Sequence, residues 1–126
     1  MDITASFTVS VQGESTGLAF VGSFTVKLLL TKTENFMADE KRRILLGAYP
    51  ENALEELKLD ALMLSQLHVR VVSAPQWWTD SENGTKMLDS NVVFEVFKST
   101  TDKVQEFREK RKAEAAKALE QIKNSG

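Results

Sequence analysis

One histidine, His68, occurs in the 126 residues, so a catalytic triad, a His-rich metal site or a paired proton relay would have to be assembled around it. It belongs to the row Leu54, Leu57, Ala61, Leu64, His68, whose three- and four-residue spacing marks the apolar stripe of a helix, so a packed or rim position is expected. The acidic pairs Asp39-Glu40 and Glu55-Glu56 are sequence neighbours. Adjacent helical residues do not face one another, so neither pair forms an acid/base dyad, and solvated faces are the expectation. No spaced ligand loop of the EF-hand kind is present for Mg²⁺ or Ca²⁺. The chain has no cysteine, which removes thiolate nucleophiles, sulfur-bound zinc and disulfides and fits a reducing compartment. Gly13 and Gly17 bracket Glu14-Ser15-Thr16 without the lysine and helix entry of a phosphate loop, leaving a plain turn. No catalytic residue, metal or cofactor follows, and the chain is expected not to be an enzyme. An alternative keeps a small ligand-binding or enzymatic subunit using His68 with acids of the first helix.

Two constellations point to contact instead of catalysis. Ala74-Pro75-Gln76-Trp77-Trp78 carries paired tryptophans, and aromatic anchors dominate many interfaces; one is expected in the core, the other as core lid or interface anchor. Arg108, Lys110, Arg111 and Lys112 form the densest basic patch. Glu106, Glu109 and Glu114 interrupt it and no aromatic residue interleaves, which argues against a nucleic-acid stacking surface. The formal charge of −2 divides unevenly: residues 98–126 hold eight Lys or Arg against five Asp or Glu, leaving the rest of the chain at −5. Such mixing favours a solvated helix. The start Met1-Asp2-Ile3-Thr4 lacks a basic leader, and no apolar run approaches the ~20 residues of a membrane span, so a soluble, unexported chain is expected.

The elements that must position these residues begin with two runs of strict alternation, Ile3, Ala5, Phe7, Val9, Val11 and Phe20, Phe24, Val26, Leu28, Leu30. They predict a two-stranded ribbon with one apolar face, which a lone hairpin cannot stabilise without cover. Gly13 to Gly17 supplies the turn, and Gly22 inside the second run marks a bulge or a close approach by another backbone. Thr31-Lys32-Thr33-Glu34 is a capping box opening a helix to about Leu46, closed at Gly47 with Arg42 and Arg43 in its last turns. Pro50 opens a second helix to about residue 70, whose stripe is widened by Leu59, Leu62, Met63 and Leu67. Val69, Val71 and Val72 suit either its continuation or a short strand. Residues 76–90, with Asn83-Gly84, read as an ordered loop. From an N-cap at Asp89 or Ser90, the stripe Val93, Phe97, Val104, Phe107, Ala115, Ala118, Ile122 predicts a long helix that thins into a charged arm.

Gly22-Ser23-Phe24-Thr25-Val26-Lys27, Asp39-Glu40-Lys41-Arg42-Arg43-Ile44-Leu45-Leu46-Gly47, Val69-Arg70-Val71-Val72 with Ala74-Pro75-Gln76-Trp77-Trp78, and Leu88-Asp89-Ser90-Asn91-Val92-Val93 together resemble small virion-associated or assembly proteins of tailed bacteriophages, over about residues 17 to 98. The resemblance implies a non-enzymatic protein made in the host bacterial cytoplasm and either built into the particle or used as a transient head or tail assembly chaperone. Its partners would be capsid or tail proteins, with no catalytic residues carried over. The N-terminal ribbon departs from the mostly helical tail-assembly chaperones, which puts the virion component first.

The expected architecture is α+β: an N-terminal β-hairpin packed on two or three helices, with a compact unit over residues 1–97 and a charged helical arm over 98–126. Phe20, Phe24, Trp77, Trp78, Arg108, Lys110, Arg111 and Lys112 are the interface candidates, for neighbouring virion proteins or for self-association, with no membrane and no nucleic-acid role expected.

Overall fold

The computed structural model describes residues 3–125, apart from the side chain of Pro50; the leaderless start read at Met1-Asp2 lies outside the described residues. Alternation yields β1 (Thr4–Gln12) and β2 (Ala19–Lys27), antiparallel in an unbroken register from Thr4 opposite Lys27 to Gln12 opposite Ala19. Ser6 and Thr25 hydroxyls lie 2.9 Å apart and Thr8 and Ser23 hydroxyls 3.2 Å apart across the polar face. The opposite face carries Phe7, Val9, Val11, Phe24 and Val26 into the core.

The capping box forms as expected at the start of α1 (Lys32–Leu46): Thr31 Oγ1 accepts from Glu34 N–H, and the Glu34 carboxylate accepts from Thr31 N–H. Gly47 closes the helix with φ +83°, a left-handed value that glycine tolerates without a Cβ clash. Pro50 does not open the second long helix. It begins a 3₁₀ turn (Pro50–Asn52), and α2 (Glu55–Arg70) starts after Leu54, which provides no side-chain cap.

The ambiguity at Val69 to Val72 resolves at Arg70. Val71–Ser73 leaves the helix as β3 and pairs antiparallel with β2, with an irregularity between Thr25 and Val26, giving the order β1-β2-β3. β-Branched side chains suit the pleat, and an open β2 edge supplies the partner. Residues 76–90 are more regular than a loop: α3 (Gln76–Asp80) is followed by tight turns through Gly84, at φ +91°. A single helix, α4 (Ser90–Ser125), spans 36 residues or ~54 Å. Its burial continues through Val92, Val93, Val96, Thr100 and Val104, so the arm begins beyond Val104 and not at Lys98: the core still covers two turns of the segment read as arm.

The sheet's apolar face, α2, α3 and the first half of α4 enclose one core in which Val9, Phe24, Leu67, Trp78, Val93 and Val96 are buried. α1 packs against α2 and contributes only Ala38 as a buried residue. The fold is thus α+β, with the hairpin covered by its own helices.

Candidate interaction surfaces

The aromatic constellation assembles, mostly inward. Phe24 stacks on Phe7 at 5.5 Å between centroids and meets Trp77 and Trp78 edge-on at 5.7 and 5.5 Å. Phe24 and Trp78 are both 0% exposed, so they serve the core and leave the set of candidate contacts. Trp77 is half-buried; its Nε1–H donates to the Val21 carbonyl at 3.0 Å and its ring meets Phe20 at 5.1 Å. These two rings, with Leu18, Met87 and Leu88, line an open cleft of about 310 Å³, so Phe20 and Trp77 remain accessible.

Gly22 is a close-approach glycine, though the neighbour is a side chain and not another backbone. A Cβ there would lie 2.6 Å from the Pro75 ring, while the β1–β2 register passes through it without a bulge.

His68 is exposed, against the expectation of a packed or rim position, because the stripe of α2 that packs runs through Leu67 and Val69 at that level. It opens onto a shallow cleft with Lys27, Glu34 and Met37. Of the acids on α1, Glu34 comes near, but Lys27 and the Thr31 cap occupy both its oxygens. Those hydrogen bonds, Lys27 first, hold its carboxyl below the usual value, which suits an anchored anion and not a proton acceptor. Asp39 is likewise held low, first by Arg42 and further by Arg43. No group of three or more His, Asp or Glu suited to a metal occurs among the described residues. No helix among them is long and apolar enough to cross a membrane.

The basic patch lies wholly on the exposed arm. Arg108, Lys110, Arg111 and Lys112 all face solvent, Arg111 sits 5.1 Å over the Phe107 ring, and it bridges Glu114 at 3.6 Å. Arg108 also ends an apolar groove of about 230 Å³ between α2 and α4, floored by Leu62, Leu67, Phe97 and Val104. Arg70 stands at the same end, donating to the Lys27 carbonyl at 2.8 Å; burial lowers its pKa and the Arg108 charge adds to this.

Periodicity could not reveal the outer edge of β1. Gly13 N–H donates to the Leu18 carbonyl, and Leu28 N–H to the Ile3 carbonyl, in the same register as the strand pair. Odd-numbered residues of β1 therefore exchange backbone bonds with β2, while the N–H and C=O groups of Thr4, Ser6, Thr8, Ser10 and Gln12 point outward. Asn91 closes one end of this edge: its Nδ2 donates to the Gln12 carbonyl at 2.9 Å, and its Oδ1 accepts from Glu14 N–H at 3.0 Å. No strand among the described residues pairs with the outer edge of β1 from Thr4 to Ser10. The strand TASFTVSVQ carries no charge and no proline, the features that usually block edge pairing.

Scans of family models, of curated proteins and of solved structures each returned no match to this chain.

Proposed function

We propose that this chain is a non-catalytic structural or adaptor protein that binds its neighbours by adding β1 to their sheets. The observation that carries the reading is the uncharged edge from Thr4 to Ser10, with four outward N–H and four outward C=O groups available for main-chain pairing. Phe20 and Trp77, accessible beside the hairpin tip on the β2 side of the ribbon, supply a separate aromatic anchor. The resemblance over residues 17 to 98 supports capsid or tail proteins of a tailed-phage particle as the neighbours, and the host cytoplasm and the virion as its locations. Repeated around a symmetric shell, each such contact needs only modest affinity.

A transient assembly chaperone is the second reading, favoured by the exposure of Phe36, Ile44 and Leu54 at 73%, 66% and 71%. A virion component stays in purified particles at fixed stoichiometry; a chaperone does not.

The test titrates the purified chain into capsid or tail-tube protein and follows the complex by light scattering. Thr8→Pro removes an outward N–H and leaves the β1–β2 ladder its bonds. Loss of the complex with this variant, at an unchanged unfolding midpoint, supports strand addition. Binding equal to the parent chain rejects strand addition, and the absence of any complex with the parent chain rejects the phage assignment.

A further inference from the structure

We infer that the C-terminal arm of one copy docks along the start of α2 of the next, joining copies of this chain head to tail. Two surfaces carry this. The first is the N-terminal part of α2, where Leu54, Leu59 and Leu62 are 71%, 51% and 44% exposed, and Glu51, Glu55 and Glu56 face solvent beside them. Residues 49–62 hold four acids against one lysine. The second is the arm, where Leu119 and Ile122 are 55% and 67% exposed and residues 105–125 hold six Lys or Arg against four Glu. Each surface is an apolar row with unbalanced charge, and the two charges are opposite.

The order along each helix also matches. Reading from N- to C-terminus, α2 presents Glu55, then Leu59 and Leu62; the arm presents Lys112, then Leu119 and Ile122. Glu55 to Leu62 and Lys112 to Leu119 are both seven-residue steps, about 10 Å of helix. A parallel alignment thus sets base against acid and leucine against leucine together. The apolar row of α2 runs on into the groove floored by Leu62 and Phe97, which can receive the tip of the arm.

The fold forbids this pairing within one chain. Asp60 and Leu64 share a cleft with Ser90 and Val93, whereas Arg70 shares one with Arg108, so α2 and α4 run in the same direction. The arm therefore leaves past the C-terminal end of α2, away from Glu55. Arm and receptor lie at opposite ends of the molecule, a heterologous arrangement that propagates until a ring closes or a filament grows. It leaves the outer edge of β1 free.

The experiment measures the mass of the full chain by sedimentation and light scattering over a wide concentration range at low and high salt. Average mass is expected to rise at least twofold with concentration at low salt and to fall back when salt screens the charges. Lys112→Glu with Leu119→Asp disables the arm; Glu55→Lys with Leu59→Asp disables the receptor; all four residues are exposed, and helix content by circular dichroism checks the folding of each variant. Each variant alone is expected to stay monomeric. Mixed, they retain one working arm and one working receptor between them and form a 1:1 pair that grows no further. A parent chain monomeric throughout, variants that still assemble, or a mixture that stays monomeric overturns the inference.

Discussion

The carboxylate of Asp89, one residue before α4, is held by Thr16 in the hairpin turn: its Oδ2 accepts the Thr16 hydroxyl at 2.7 Å, and its Oδ1 accepts the Thr16 and Ser15 N–H groups at 2.9 and 2.7 Å. Asp89 is 1% exposed, and a Cβ on Gly13 would fall 2.2 Å from its Oδ2. The side chain that local sequence assigns to capping α4 instead fastens the hairpin to the start of that helix. Asn91, two residues on, secures the same end of β1.

This clasp predicts a pH response. The Thr16 hydroxyl, followed by the Thr16 and Ser15 N–H groups, holds the Asp89 carboxyl below its ordinary value of 3.8. A depressed folded value means stability that is fully present above the ordinary value and is lost as pH falls through the folded one. Asp89→Asn is expected to lower the unfolding midpoint at pH 6, with the gap to the parent chain closing as both are titrated toward pH 2. Thr16→Val, followed by NMR titration of Asp89, should raise its pKa. A gap that stays constant with pH would refute the clasp.

Gly22→Ala forces a methyl group to within 2.6 Å of the Pro75 ring, so Pro75 and the start of α3 at Trp77 must shift. The expected cost is about 1–3 kcal/mol, as for other overpacked sites, read from urea unfolding with the slope unchanged.

Shortening the chain after Glu109 removes only exposed residues of α4. The unfolding midpoint should hold, while far-ultraviolet circular dichroism loses the signal of about 16 helical residues, because propensity and surface pairs sustain the arm with little burial. Loss of the sheet's cooperative unfolding would show that the arm belongs to the core.

His68→Ala should change stability by no more than ~0.5 kcal/mol, as expected for an exposed side chain free of core packing. Isothermal titration with small anions or divalent cations should show the same heats for both chains. A ligand whose heat disappears in the variant would revive the His68 site.

Local physics made several parts of this fold legible in the sequence. Alternation through Phe7 and Val9 and through Phe24 and Val26 dictated the hairpin and its apolar face, because a pleat sends successive side chains to opposite sides. Thr31 with Glu34 marked the start of α1 and Gly47 its end, since caps satisfy backbone groups only a few residues away. The span of α4 followed from its three- and four-residue rows. What tertiary structure alone decided depended on partners far along the chain. Val71 to Ser73 became strand because β2 offered a free edge, and Pro75 and Trp77 folded over Gly22. Trp78 went to the core while Trp77 kept an exposed flank, although the two are neighbours in sequence. Asp89 bonded a turn more than 70 residues away, and the outward groups of β1 acquired their direction from the register with β2. Periodicity reports which face of an element is apolar; which neighbour covers that face, and which edge stays open, is set by packing among distant segments.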